Sequence, residues 1–316
     1  MSSKNKTDST ILGVSLGDLL LVLQPTSIKA SIEGNALIAR HEHYTCRVEV
    51  VAPENPELDQ DPIRAVVRIT TELPKSIAER FKGQEEETMA ICNRFAALGA
   101  LTSDRGNVFI GSRLTIYEVE DAWSTLHLPL LMLATVLGAE AILGGMRYAL
   151  TKERSRGGPS HWTEKDMDQT KHTLSRLCAC TTGGLGLTAE FGLIKGAVSA
   201  IVGDHKTALF QLMADQPHPE LGGGLFCLLQ MPHLLRDKKN LQQVCAKLNG
   251  MEMAAHDLPP HFGAWCPGNA IDNPVYLSFF PNEMHSISGI ATNAAFWAMS
   301  RAQWANGMLA SLGVRL

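Results

Sequence analysis

The segment Ile287–Leu309, ISGIATNAAFWAMSRAQWANGML, decides the fold of this chain because an earlier segment of the same length has the same place in a repeated pattern. The earlier segment is Leu128–Leu150, LPLLMLATVLGAEAILGGMRYAL. Both are apolar over a length typical of a long helix, and both follow a run with strand character. We therefore expect the chain to consist of two related halves.

Shorter features upstream of both segments support a duplication. Each half has, in order, an amphipathic helix that holds a cysteine, a strand entered through Phe, a strand that contains Tyr, and the long apolar helix. The aligned residues are Ile91–Phe95 with Val244–Leu248, Phe109 with Phe262, and Thr115–Tyr117 with Pro274–Tyr276. The alignment predicts that Cys92 superposes on Cys245 and Tyr117 on Tyr276. The spacing fits a duplicated domain rather than a solenoid, whose units run to roughly 20–50 residues.

Alternation with a period of two predicts strands in both halves, and apolar residues at helical spacing predict helices between them. The predicted strands are Ser15–Gln24, Asn35–Arg40, Tyr44–Ala52, Ile63–Thr71, Asn107–Gly111, Arg113–Glu118, Leu187–Ile194, Ala208–Ala214, Gly223–Met231, His261–Cys266 and Val275–Phe280. The shorter predicted helices are Glu85–Leu98, Thr163–Cys180 and Asn240–Asn249. The second half is thus expected to run α-β-β-β-α-β-β-α, and the first half shows no counterpart of its leading helix.

The fold class that follows is α+β, with two tandem domains, each an antiparallel sheet with helices packed on it. The first domain is predicted at residues 11–151 and the second at residues 161–312. Lys152–Ser160, KERSRGGPS, mixes charge, Gly and Pro as linkers do. Each half has too few helices to cover both faces of its sheet, so the second face needs a partner, either the sister domain or a client. We expect the halves to pack on each other pseudo-symmetrically.

The composition of the chain indicates in which cellular compartment it is found and which partners are excluded. The chain has 316 residues, is 45% hydrophobic and carries a net charge of −4, so it can form two cores but offers no positive field to nucleic acid. The polar start MSSKNKTDST lacks the features of a secretory signal, which predicts a cytoplasmic protein. The apolar segment Thr125–Leu150 is expected to be a buried helix rather than a membrane span, because Glu140 lies in its middle. The seven scattered cysteines are expected to be reduced core residues.

The element order of the second half resembles a known family. Gln242–Asn249 is followed by the aromatic strands HFGAWC and PVYLSFFP and then by a helix that bears Trp and Arg. This order is similar to the YbjN family and to the type III secretion chaperone-like fold to which that family belongs. The resemblance covers Thr163–Leu309 best and Ser15–Leu150 more loosely. It implies a non-catalytic protein: the secretion chaperones dimerise and hold extended segments of clients, and YbjN-like proteins are regulators. The chain would then be a covalent pseudo-dimer, and further homo-oligomerisation stays open.

One group of side chains suits a metal. His41 and His43 lie on one face of a predicted strand, and imidazole nitrogens and the thiolate of Cys46 are good zinc ligands. Cys46 has the opposite parity and no fourth ligand is visible, so a solvated strand face with two histidines is the favoured interpretation. The metal-binding or enzymatic use of this region is kept as the alternative function.

Other motifs lack the context that their chemistry needs. Gly13–Gly17 matches G-x-S-x-G around Ser15, but a polar tail precedes it and a strand-like run follows, the reverse of a nucleophile elbow. The glycine clusters at 183–186 and 222–224 complete no nucleotide-binding motif. Cys178 and Cys180 lack the spacing of redox and zinc motifs, and no base accompanies the carboxylates near Glu118. No cofactor is predicted.

Trp297, Arg301 and Trp304 form the candidate binding site, since their spacing places them on one helical face. Burying a lone guanidinium costs several kcal/mol and stacking on an indole returns only about 0.5–2 kcal/mol, so Arg301 must meet a carboxylate or lie at the surface. One interpretation is an arginine whose stem covers the indoles at the domain edge. The other is a patch of the Trp/Arg type that is enriched in binding hot spots.

The sequence therefore predicts a protein that binds another polypeptide, with no catalytic residues and no nucleic-acid partner. If Arg301 is a rim residue of the binding patch, its replacement with Glu abolishes client capture and leaves thermal stability nearly unchanged.

Overall fold

The structure is a computed structural model that describes residues 10–11, 14–15, 29–34, 36–41, 44–51, 63–73, 75–79, 85–104, 107–117, 124–154, 157–181, 190–194, 197–202, 208–255, 258–268 and 272–314. Its strands are β1 Thr10–Ile11, β2 Val14–Ser15, β3 Lys29–Glu33, β4 Ala36–His41, β5 Tyr44–Val51, β6 Ile63–Glu72, β7 Ala100–Asp104, β8 Asn107–Tyr117, β9 Glu190–Ile194, β10 Ala197–Val202, β11 Ala208–Met213, β12 Gly224–Gln230, β13 Ala264–Pro267 and β14 Pro274–Pro281. Its α-helices are α1 Lys75–Ala78, α2 Glu85–Cys92, α3 Ser124–Thr151, α4 Glu164–Thr181, α5 Lys238–Ala254 and α6 Ile290–Ser311, and a 3-10 turn, Asn93–Phe95, extends α2.

The two halves form two six-stranded antiparallel sheets with the same strand order. The first sheet runs β3-β4-β5-β6-β8-β7, and the second runs β9-β10-β11-β12-β14-β13. The only other sheet among the described residues is the short β1-β2 pair. In both halves four strands are followed by a helix, two more strands and a long helix. The predicted α+β class with two tandem antiparallel sheets is confirmed.

Each long helix covers one face of its own sheet. Helix α3 lies over β5, β6 and β8, and helix α6 lies over β11 and β12 beside α4. Helix α6 can approach its sheet closely because the buried stripe consists mainly of alanines: Ala291, Ala294, Ala295, Ala298, Ala302 and Ala305. Five cysteines are free and buried in these cores: Cys46, Cys92, Cys227, Cys245 and Cys266. Burial raises the pKa of Cys92, Cys227 and Cys266 to about 12.

A pair of buried asparagines shows how the halves correspond. The Asn93 side chain accepts a hydrogen bond from the Leu101 N–H at 2.7 Å and donates one to the Leu101 carbonyl at 3.0 Å. The Asn249 side chain makes the same two bonds to the backbone of Trp265, at 2.8 and 2.9 Å. Asn93 therefore corresponds to Asn249, and each asparagine fixes the first strand after its helix, β7 or β13.

Replacing Asn249 with alanine should lower the free energy of unfolding by about 2 kcal/mol, because the Trp265 N–H and carbonyl lose their side-chain partner in a buried place. Urea unfolding measures the loss, and the corresponding change at Asn93 is the matched experiment in the first half. If both variants unfold at the wild-type urea concentration, these bonds do not hold the strands.

The sequence alignment of the halves was shifted. Since Leu101 pairs with Ile110 and Trp265 pairs with Tyr276 in the two ladders, Ile110 is the counterpart of Tyr276. Tyr117 is not, and Phe109 lies opposite Thr102 at the position of Val275 rather than of Phe262. The counterparts set by the asparagines also move Cys92 by about one helical turn away from Cys245. The strand positions differ because the second half carries extra residues between its asparagine and β13, whereas the predicted alignment has its insertion later, after Phe109.

The predicted strand list lacks several strands and divides another in two. Lys29–Glu33, Ala100–Asp104, Ala197–Val202 and the two-residue strand Thr10–Ile11 are absent from it, and the second half has four strands before α5 instead of three. The predicted strands Asn107–Gly111 and Arg113–Glu118 are one continuous strand. Most of the predicted strand Ser15–Gln24 lies outside the described residues.

The halves pack on each other reciprocally. Helix α2 of the first half lies against β13 of the second, helix α5 of the second half lies against β7 and β8 of the first, and the two helices touch. The approach is close, since a Cβ on Gly111 of β8 would lie 2.9 Å from Cε of Met253. Part of the sheet face opposite each long helix is thus covered by the sister half.

Within the described part of the chain, no helix combines the length and the apolar character that crossing a membrane requires.

Candidate functional site at the junction of the halves

Two backbone hydrogen bonds join the halves at corresponding positions. The His261 N–H donates to the Arg113 carbonyl at 2.8 Å, and the Phe279 N–H donates to the Ala97 carbonyl at 3.1 Å. Leu101 is equivalent to Trp265 and Ile110 to Tyr276. Counting from these pairs, Ala97 corresponds to His261 and Arg113 to Phe279. The junction is therefore built twice from the same pair of positions, as expected for a pseudo-twofold relation.

The carboxylate of Glu252 is the centre of a buried polar cluster at this junction. Oε1 accepts a hydrogen bond from Arg301 Nε at 2.6 Å, and Oε2 accepts one from the Trp265 indole at 2.8 Å. His261 Nδ1 lies 3.1 Å from Oε1. Glu252 and His261 have no exposed surface and Arg301 has 3%, so solvent does not reach the cluster.

Arg301 completes its hydrogen bonding inside the protein. Its Nη2 donates to the Pro260 carbonyl at 2.8 Å, and its guanidinium carbon lies 3.9 Å from the centre of the Tyr276 ring. A second buried guanidinium, that of Arg113, crosses from the first half. It donates to the carbonyls of Glu252, Leu258 and Pro259 at 2.9–3.0 Å. The two arginines thereby hold the segment between α5 and β13 in place.

The electrostatics of the cluster favour one charged pair and a neutral histidine. Burial alone would raise the pKa of Glu252, but Arg301 and His261 outweigh it and lower this pKa to about 2. Burial lowers the pKa of His261, an effect that Glu252 opposes and that Arg301 and Arg113 reinforce. At neutral pH the cluster therefore contains ionised Glu252 and Arg301 beside neutral His261.

A second buried histidine, His218, lies at the junction. Its Nε2 donates to the Phe95 carbonyl at 3.1 Å, and its Nδ1 accepts from the Glu220 and Leu221 N–H groups at 3.1 and 3.2 Å. Only the neutral ring can accept at Nδ1, and burial lowers the pKa of His218 to about 4.

The structure overturns the surface interpretation of Arg301 and confirms the requirement that a buried Arg301 meet a carboxylate. Trp297 and Trp304 are half-buried and pack against the core of the second half, and Trp297 meets the Phe262 ring edge-on at 5.8 Å. Arg301 is buried, so it is not a rim contact, and the premise on which its replacement with Glu was expected to leave stability unchanged does not hold.

The remaining sequence candidates do not form a site in the described part of the chain. The side chain of His41 and all of His43 lie outside it, while Cys46 is buried in the first sheet. No group of three potential metal ligands comes together among the described residues. Ser15 is in the short strand β2, and the residues that follow it, 16–28, lie outside the described part of the chain. The side chains of the carboxylates near Glu118 and of the cysteines 178 and 180 also lie outside it.

A partly exposed apolar sheet face is a feature that the sequence predicts only in general terms, as a face that needs a partner, without naming its residues. Leu209, Met213, Phe226 and Leu228 point away from α6 on β11 and β12, and all are half-buried. Among the elements that the structure describes, none packs broadly on this part of the face. The face carries two amides as well: Gln211 and Gln230. The sequence of β11 could have indicated this face, because apolar residues occupy both its odd and its even positions and a strand with one solvated face has them on one side only.

The equivalent face of the first sheet is charged. From the register, Phe226 corresponds to Arg68, Met213 to Glu49, and Gln211 to Arg47. Arg47 and Glu49 form an exposed salt bridge at 2.6 Å. The duplicated halves have therefore diverged at this surface, and only the second half presents an apolar face.

The chain matches no family model, no curated protein and no solved structure.

Proposed function

We propose that this is a non-catalytic protein that binds an extended segment of another polypeptide on the open face of the second sheet. The proposal rests on the apolar face formed by Leu209, Met213, Phe226 and Leu228. The corresponding face in the first half is charged instead. The resemblance to secretion chaperones, which hold extended client segments, points to the same kind of ligand.

The chemistry of the face defines the partner. An extended chain places alternate side chains on one side with a repeat of about 7 Å, and apolar residues at that spacing can pack between the rows of β11 and β12. Gln211 and Gln230 add hydrogen-bonding groups for the backbone of the segment. The proposed partner is a segment with alternating apolar residues and few charges, which would otherwise be prone to aggregate.

Photo-crosslinking from a single position tests the proposal. A photoreactive phenylalanine analogue replaces Met213 in the native host, and its adducts are mapped by mass spectrometry. We expect adducts on apolar segments of another protein. The matched control places the analogue at Glu49, the counterpart of Met213 on the charged face of the first half, where we expect none. Equal labelling at both positions, or adducts only with a second copy of this chain, would overturn the proposal.

The indoles on α6 are a separate proposed contact. Helix α6 covers the opposite face of the sheet, so a segment bound at Met213 does not reach Trp304. The photoreactive residue at Trp304 therefore tests the sequence-based binding site independently. Adducts there with an external polypeptide would support a role for Trp297 and Trp304, and their absence would assign both residues to the core alone.

A further inference from the structure

A cavity of about 390 Å³ lies where the linker meets the second half, at the end of β11 and directly after Met213 in the chain. One wall comes from the linker and the start of α4, and the other from the turn between β11 and β12. Its lining includes Pro159, Trp162, Met167, Ala214, Glu164 and Asp215. A volume near the lower end of the range of ligand pockets suits a small molecule or one side chain of a larger one.

Hydrogen bonds build the linker wall into the fold. Asn282 Nδ2 donates to the Pro159 carbonyl at 3.0 Å, and Asn282 Oδ1 accepts from the His161 N–H at 2.8 Å. Ser160 Oγ donates to the Gly224 carbonyl at 2.8 Å. These bonds hold the linker in one position, so the cavity is preformed and a ligand would not have to order its wall.

The charge at the mouth of the cavity is negative. Glu164 and Asp215 are exposed and form no salt bridge with any residue that the structure describes. The first turn of α4 adds a third carboxylate, Asp166, which bonds to the residue before the helix. Asp166 Oδ2 accepts from the N–H and hydroxyl of Thr163, and Thr163 Oγ1 accepts from the Asp166 N–H. An anion in the cavity would therefore meet the carboxylates of Glu164 and Asp215.

The apolar part of the lining restricts the class of ligand further. A metal ion needs several converging oxygen or nitrogen ligands, and the described residues contain no such group. Pro159, Trp162, Met167 and Ala214 instead offer contact to hydrocarbon. We propose that the cavity binds an organic cation, an amine or guanidinium group on an aliphatic stem, with the charge between Glu164 and Asp215. The ligand can be a free amine or the side chain of a lysine or arginine in a polypeptide.

Fluorine NMR of the full chain labelled with 5-fluorotryptophan provides the test, with the Trp162 signal assigned from Trp162→Phe. The probes are 1,5-diaminopentane, N-acetyl-lysine N-methylamide and its uncharged analogue, N-acetyl-norleucine N-methylamide. We expect saturable shifts of the Trp162 signal with the cations and none with the norleucine compound. A response to the lysine derivative alone identifies a polypeptide side chain as the source, and a response to the diamine identifies a free amine.

Charge and space are then varied separately. Glu164→Gln with Asp215→Asn should weaken cation binding about tenfold, since each exposed ion pair contributes roughly threefold. Glu87→Gln with Glu153→Gln removes the same charge from exposed positions that do not line the cavity, and should leave binding unchanged. Ala214→Leu fills the cavity without changing the charge and should abolish the shift, and a thermal melt of each variant verifies folding.

Three results would overturn the proposal: no shift of the Trp162 signal with any cation, equal binding of the norleucine compound, or equal weakening by the control pair. Because the sheet-face proposal concerns Met213 and a different surface, either proposal can fail without the other.

Discussion

Replacing Arg301 with alanine is expected to lower the free energy of unfolding by about 3–5 kcal/mol, because Glu252 would be left as a buried carboxylate without its cation. Arg301→Glu should be worse, since it adds a second carboxylate 49 residues away in sequence but in direct contact with the first. Chemical denaturation of purified protein measures both. The surface pair Arg147–Glu220, whose arginine side chain is 53% exposed, provides the matched control. Arg147→Ala should cost no more than about 1 kcal/mol.

A double variant separates the loss of a partner from the loss of the pair. Arg301→Met with Glu252→Gln removes both charges together and should recover a large part of the stability that Arg301→Ala loses. If Arg301→Ala unfolds within 1 kcal/mol of the wild type, on the order of a surface ion pair, the cluster does not hold the junction.

Acidification is expected to cost about 3 kcal/mol of stability between pH 7.5 and pH 4 through His218 alone. The pKa of His218 is about 4 in the folded protein and near 6.5 when the chain is unfolded, so the unfolded state binds more protons as the pH falls through this window. The stability that neutral His218 provides is therefore complete above about pH 6.5 and lost toward pH 4. His261, whose pKa is also lowered, acts in the same direction.

Melting temperatures measured between pH 7.5 and 4 for the wild type and for His218→Asn check this expectation. The asparagine variant should be less stable at pH 7.5 but should lose less on acidification, because it has no proton to gain at this place. A wild-type curve that is flat between pH 6.5 and 5 would contradict buried neutral histidines at the junction. Glu252 contributes at lower pH, between its ordinary range and about 2, so it does not obscure the test.

The sequence predicts the helices and strands better than it predicts the contacts between them. Alternation found β4, β5, β6, β11, β12 and β14 to within a few residues, since strands with one buried face repeat every two residues. It does not reveal β3, KASIE, β7, ALTSD, or β10, AVSAIV, because small residues dilute the pattern. The duplication was visible in the order of elements, but the true register depends on Asn93 and Asn249, whose bonds to β7 and β13 leave no periodic trace.

The sequence predicts that Arg301 needs a partner but does not identify that partner. The cost of burying a guanidinium showed that Arg301 needs a carboxylate or the surface, but nothing local distinguishes the two cases. The partner, Glu252, was placed beyond the end of its helix by a boundary drawn at Asn249. Continuing the buried stripe of Leu241, Cys245 and Leu248 by one turn leads to Glu252, and a carboxylate in an apolar stripe is itself a signal for a buried cation.

The exchange of α2 and α5 between the halves also sets the order in which the protein can mature on the ribosome. When β8 emerges, the helix that will cover Gly111 and supply acceptors for Arg113 has not been synthesised. In the nascent first half, the Arg113 guanidinium therefore stays hydrated and the sheet face stays uncovered until the chain has been synthesised beyond Pro259. Translation pauses inside the second half would lengthen this exposed interval, and molecular chaperones that act on nascent chains would meet the protein at that stage.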